Sequence, residues 1–176
     1  MLALVIPAAV NAQKIKSINY DAATGDTVVL TSTEKIARIG NLLSVTTLRA
    51  YATRERGTVT LYLELSKVGG KSFSLSSDIN VVFTLGDYTI VDLPNLNDDE
   101  TARRIHISLH NDWVNAAVVD IANKTIAQMS AKSVRIIRIQ ADERNFDFNL
   151  KLDESKKLCR ILALALNGRH AEKKSL

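Results

Sequence analysis

The sequence predicts an α+β fold, mostly antiparallel β-sheet with two C-terminal helices packed on it. Three observations carry that expectation. Apolar and polar residues alternate with a period of two through several stretches between Asp26 and Leu109. Glycines interrupt the alternation at Gly25, Gly40, Gly57, Gly69, Gly70 and Gly86, where they read as turns. The period then lengthens to a helical one from Asp112 and again from Asp153.

Taken in order, Asp26 to Leu30 reads as a strand. Thr31-Ser32-Thr33-Glu34 with Lys35 to Gly40 fits either a capping box opening a short helix or a further strand. Leu48, Ala50 and Ala52 alternate with Thr47, Arg49, Tyr51 and Thr53. Val59, Leu61, Leu63 and Leu65 alternate with Thr58, Thr60, Tyr62 and Glu64, which gives a second half-buried strand. Lys71 to Ser76 follows with Phe73 and Leu75 inward, and Ile79 to Leu85 and Tyr88 to Leu93 flank Gly86-Asp87 as a hairpin. Pro94 to Thr101 is a polar loop. Ile105, Ile107 and Leu109 then mark a strand, and Asp112 is the expected N-cap of a helix whose stripe is Val114, Ala117, Val118, Ile121, Ala122, Ile126 and Met129. Val134 to Ala141, a turn at Asp142 to Asn145, and Phe146 to Leu152 form a second hairpin. The last helix starts at Asp153, is apolar around most of its circumference, and ends at Gly168 as a C′ glycine.

The first twelve residues are uncharged and end in Val10-Asn11-Ala12, a small-residue pattern of the kind signal peptidase cuts. The basic n-region of a complete signal is missing before Leu2, which fits a truncated leader. The expected organisation is therefore a signal peptide at 1–12, one α+β domain at 13–168 and a flexible basic tail at 169–176, with a periplasmic or extracellular setting. A membrane span needs about 20 apolar residues, and this run has little more than half of that. With 46% apolar residues the domain has enough material for a core, and its single cysteine, Cys159, excludes an intramolecular disulfide framework. Cys159 sits among Leu158, Ile161 and Leu162 and reads as a small buried hydrophobe. The net charge of +4 is spread thinly, with Glu55 between Arg54 and Arg56 and acidic residues before Arg103 and Arg104, so no basic stripe with interleaved aromatics points to nucleic acid.

Chemistry concentrates in His106, Ser108, His110 and Asp112. On a straight strand the two histidines stand about 13 Å apart, too far to ligate one metal, and Ser108 is about 6 to 7 Å from either at Cα, too far for a nucleophile and its base. Outward polar residues of a strand, with Asp112 capping, account for them better. Asn95, Asn97, Asp98, Asp99 and Glu100 carry oxygen ligands of the kind calcium takes, but the spacing lacks the glycine and terminal glutamate of a helix-loop-helix calcium site. A solvated connector fits that loop. A sheet closing on an apolar helix also offers a cleft, lined here by Phe73, Phe83, Phe146, Phe148, Leu158 and Leu162, in which an apolar ligand would sit, but the same residues serve a filled core and that is the expectation.

Tyr20 to Thr27, Leu85 to Leu93 and Ser133 to Arg138 ahead of Phe146-Asp147-Phe148 resemble small uncharacterised domains of exported bacterial proteins. That resemblance implies a fold and an address and brings no catalytic residue with it. The expectation is an exported, non-catalytic binding or interaction module, without a cofactor, whose partner is a protein or a small apolar ligand. The alternatives are a hydrolase using the His106, Ser108, His110 and Asp112 cluster, and a carrier of an apolar ligand in the sheet-helix cleft.

Overall fold

The structure is a computed structural model and describes residues 15–21, 26–41, 43–69, 73, 75, 80–96, 113–141 and 144–168. Ten strands and two helices are described, every strand pairing is antiparallel, and the α+β class expected from the sequence is the class observed. The larger sheet holds β1 (Ile15–Asp21), β2 (Asp26–Thr31), β3 (Glu34–Gly40), β4 (Val45–Glu55), β5 (Thr58–Val68) and β8 (Trp113–Ile121), in the order β1-β2-β4-β5-β8 with β3 also on β4. The smaller sheet runs β10-β9-β6-β7, from β6 (Asn80–Leu85), β7 (Ile90–Pro94), β9 (Val134–Ala141) and β10 (Arg144–Asn149). Helix α1 (Asn123–Lys132) links β8 to β9, and α2 (Leu152–Asn167) follows β10.

Period-two patterning explains the larger sheet. Val59, Leu61, Leu63 and Leu65 are fully buried while Thr60, Tyr62, Glu64 and Ser66 face out, and Lys67, at 1% exposure, continues the inward series at the end of β5. β2 and β3 share one side of the long β4: Glu34–Gly40 pair with Val45–Ala50, and Val29 and Leu30 pair with Arg54 and Thr53. At the corner between them the buried Ala52 N–H donates to Thr31 Oγ1 at 2.9 Å, so the break in the ladder strands no donor. The sheets meet along two borders, β7 against β8 and β10 against β3. At the first border Leu96 N–H donates to the Val118 carbonyl (2.7 Å) and Val118 N–H donates to Asn95 Oδ1 (2.8 Å).

One hydrophobic cluster joins both sheets and both helices. α2 lies across β2, β3, β4 and β5, touches β9 and α1, and buries Ser155, Leu158, Ile161, Leu162 and Ala165, a stripe at three- and four-residue spacing. Each of its fully buried leucine or isoleucine side chains contributes about 1.5–3 kcal/mol. Ser155 also ties the helix to β9, because its Oγ accepts the Val134 N–H at 2.7 Å. At the N-terminus the Glu154 carboxylate reaches back to the Lys151 N–H at 2.7 Å. At the C-terminus Arg54 of β4 donates to the carbonyls of Leu166 (2.5 Å) and Gly168 (2.9 Å), groups left open by the end of the helix. Arg54→Ala is expected to cost about 2 kcal/mol, read as a lower urea midpoint and faster amide exchange over residues 163–168.

Several sequence expectations change. The helix expected from Asp112 is a strand as far as Ile121, and only Asn123–Lys132 is helical, capped at Ala122 without a side-chain bond. The segment is so rich in Ala and Val that it satisfies both periods. Nine-residue pairing of β8 with β5, from Val59↔Ile121 to Lys67↔Trp113, decides for the strand. Residues 34–40 take the strand option. β1, not anticipated, adds an outer strand, and the loop of the β6–β7 hairpin spans four residues, 86–89. Leu152 opens α2 and does not extend β10. Gly168 ends the helix with φ −56°, outside the left-handed region. A Cβ there would lie 2.8 Å from Val29 Cγ1 and 2.9 Å from the Leu164 carbonyl, so close packing explains the glycine. The expected leader, the strand at 105–109 and the tail from 169 lie outside the described residues.

Candidate functional site

The β6–β7 hairpin is held rigidly at its tip. Leu85 N–H donates to the Thr89 carbonyl (2.9 Å), Tyr88 N–H to that of Leu85 (3.0 Å), and Thr89 N–H to Asp87 Oδ1 (3.1 Å). Gly86 N–H is shared between the carbonyls of Lys132 (3.1 Å) and Ser133 (3.0 Å), and Lys132 Nζ pairs with Asp87 at 2.5 Å, clamping the turn to the end of α1. The Lys132 ammonium, helped by Thr89, holds the Asp87 carboxyl at about 2, below its ordinary 3.8. A carboxyl lowered on folding contributes stability above its unfolded pKa and loses it as pH falls through the folded one. The urea midpoint of the native protein is therefore expected to fall more steeply between about pH 4 and pH 2 than that of Asp87→Asn.

On this clamp stands Tyr88, a non-glycine residue at φ 67° and 71% exposed. Its described partner is the Arg135 guanidinium, 5.0 Å from the ring centroid. Ile90 begins β7 at 66% exposure, and Thr84 separates it from the half-buried Ile136 on the same outward row of the smaller sheet. Leu152 is 60% exposed just beyond Leu150, whose N–H donates to the Arg135 carbonyl at 2.7 Å. Tyrosine, arginine and large aliphatic groups thus share one end of the smaller sheet. The next row is closed by a two-pronged pair, Arg138 to Asp147 at 2.6 and 2.8 Å, which holds the Asp147 carboxyl below its usual range.

The outward face of the larger sheet differs. Tyr51 and Tyr62, paired across β4 and β5, stack with ring centroids 4.5 Å apart and planes within 2°. In the adjoining row Lys35 of β3 stands directly opposite Arg49 of β4, and Arg49 opposite Glu64 of β5; Arg38 follows in the next row, opposite Thr47. Among the described residues Lys35, Arg38 and Arg49 have no ion-pair partner. Like charges placed directly across two strands cost about 0.2–1 kcal/mol, so the fold gains nothing from the Lys35–Arg49 pairing. Thr60 and Asp120 border the face on its far side, hydrogen-bonded at 2.6 Å.

The residues singled out from sequence are distributed otherwise. His106, Ser108, His110, Asp112, Asn97, Asp98, Asp99 and Glu100 lie outside the described residues. Asn95 is 2% exposed, and its carbonyl oxygen is engaged by Val118. Phe73, Phe83, Phe146, Phe148, Leu158 and Leu162 all lie in the buried core, with the rings of Phe73 and Phe146 4.7 Å apart. Cys159 is half-buried, its thiol donates to the Met129 carbonyl at 3.5 Å, and burial raises its pKa, which keeps it protonated. A shallow depression of about 590 Å³ between Gly57–Thr58 and Asp120–Lys124 has one carboxylate, already bonded to Thr60. Among the described residues no three His, Cys, Asp or Glu side chains gather to hold a metal ion, and no helix is long and apolar enough to cross a membrane.

Sequence reasoning passed over Tyr88, Ile90, Lys35 and Arg49. The large aromatic directly after Gly86-Asp87 was a usable sign, since turns favour small polar residues. The Lys35–Arg49 pairing joins positions fourteen apart and depends on register. Compared with known protein families, with characterised proteins and with solved structures, the chain matches none.

Proposed function

We propose that the protein is a non-catalytic binding module, working in the exported setting expected from residues 1–12, with the β6–β7 tip, Arg135 and Leu152 as its contact surface. The observation that carries this reading is Tyr88. A left-handed backbone costs an L-residue about 1–2 kcal/mol, which asparagine or glycine escapes most easily. Tyr88 bears that cost while 71% exposed, so it recovers little from burial, and its contact with Arg135 is worth about 0.5–1 kcal/mol at such exposure. A residue that local folding rules disfavour, on a rigid turn and beside exposed Ile90, is what a binding surface requires: tyrosine and arginine are the side chains over-represented among energetic hot spots.

Tyr88→Asn is therefore expected to leave stability unchanged or raise it by up to about 1 kcal/mol in urea denaturation. The functional test places a photo-crosslinking phenylalanine analogue at position 88 in the cells that make the protein. A discrete adduct that disappears when Ile90→Asp is added supports the reading; no adduct, or one indifferent to Ile90→Asp, removes it.

A further inference from the structure

We infer that the outward face of β3, β4 and β5 is a second docking surface, whose occupant is an extended acidic polypeptide segment with carboxylates at alternate positions. The inference rests on the binding-module reading but uses different residues. Lys35 and Arg49 face each other across the strands, and Arg38, brought outward by the register shift between Lys35 and Ala37, lies opposite Thr47, two residues from Arg49 on β4 and so about 7 Å further along at a rise of about 3.3 Å per residue. An extended peptide repeats its same-side carboxylates at that spacing, so successive acidic groups meet the Lys35–Arg49 pair and then Arg38. No described carboxylate forms an ion pair with Lys35, Arg38 or Arg49, and the nearest by register, Glu64, stands across from Arg49 alone, which leaves Lys35 and Arg38 available to an incoming anion.

The remainder of the face selects among anions. Glu64 stands beside Arg49, and Asp120 bounds the far side. A densely charged polymer such as nucleic acid or a sulfated glycan lying across the face meets both carboxylates. A peptide confined to the β3–β4 side avoids Asp120 and passes Glu64 at one edge. The stacked Tyr51–Tyr62 pair and the hydroxyls of Thr47, Thr53 and Ser66 border that track with groups suited to a peptide's apolar and amide parts. Because the tyrosine rings stack on each other, they are poorly placed to accept successive bases.

The test is an amide-resolved NMR titration of the full chain at low salt with a capped octapeptide of alternating Glu and Thr. Perturbations confined to residues 35–38, 47–51 and 62–66, absent with the Gln-for-Glu peptide and weakened about tenfold by Arg49→Glu, support the inference. Arg49→Gln, which is gentler on the fold, is expected to weaken binding by a smaller factor in the same residues. No perturbation there, an equal response to the Gln peptide, or a stronger response to oligothymidylate or to vesicles containing phosphatidylglycerol overturns it. The crosslink at position 88 is scored separately, so loss of the acidic-peptide response with that crosslink intact removes this docking surface alone.

Discussion

Phe83→Ala is expected to lower the stability of the protein by about 3–5 kcal/mol. Phe83 sits at the centre of β6, fully buried, opposite Val91 on β7 and Ile137 on β9. Its ring points into the cluster that joins both sheets to α2, so truncation removes apolar contact and leaves a hole in the middle of the smaller sheet. A small domain has roughly 5–15 kcal/mol of total stability, so such a loss approaches or exceeds half of a modest reserve. Urea denaturation at pH 7 reads the change. The same truncation at the outward, half-buried Tyr62 serves as the comparison and is expected to cost less. Equal losses at the two positions would contradict the placement of the core.

Gly40→Ala is expected to cost at least about 3 kcal/mol and to disturb the β3–β4 turn. Gly40 has φ 118°, a conformation that side chains resist, and a Cβ there would lie 2.1 Å from the Ser44 carbonyl oxygen. That oxygen already accepts the Asn41 N–H at 2.9 Å, while Asn41 Oδ1 holds the amides of Leu43 (3.0 Å) and Ser44 (3.1 Å). Backbone cannot swing aside as a long side chain does, so the turn itself must open. Gly57 separates strain from collision: its φ is 80°, but nothing lies within 4 Å of its added Cβ. Gly57→Ala is expected to cost only about 1–2 kcal/mol. If the two substitutions shift the urea midpoint equally, the close approach at Gly40 is disproved. Because the β3–β4 turn sets the register that opposes Lys35 to Arg49, Gly40→Ala is also expected to weaken the acidic-peptide response.

Much of the sheet architecture was legible because alternation in β4 and β5 is regular and each strand has one apolar face. The β6–β7 and β9–β10 hairpins were legible for the same reason. The 113–121 segment failed because Ala117 and Ile121 belong equally to a helical stripe, which Val118 completes, and to the inward row of a strand, which Val119 completes. The choice is made by β5, whose paired residues lie 46 (Lys67↔Trp113) to 62 (Val59↔Ile121) positions earlier and which no local pattern contains. Gly168 illustrates another limit: its position after a helix is legible, but its cause is close packing against the Leu164 carbonyl and against Val29, the latter far away in sequence. The candidate surfaces were hidden for a related reason. Exposure at Tyr88 and the confrontation of Lys35 with Arg49 are properties of the assembled sheets, whereas the eye-catching His106 to Asp112 cluster, visible as adjacency in the sequence, lies outside the described residues.

Helix α2 has a consequence for biosynthesis. The segment that fills the interior between the two sheets is also the last described element to emerge from the ribosome, and Arg54 waits more than a hundred residues for the carbonyls it caps. Hairpins such as β4–β5 can pair as soon as they are made, but their oily sides have no permanent cover until α2 has followed them. Nascent chains are thus committed to a long interval of incomplete burial, during which a holdase competes with folding on favourable terms.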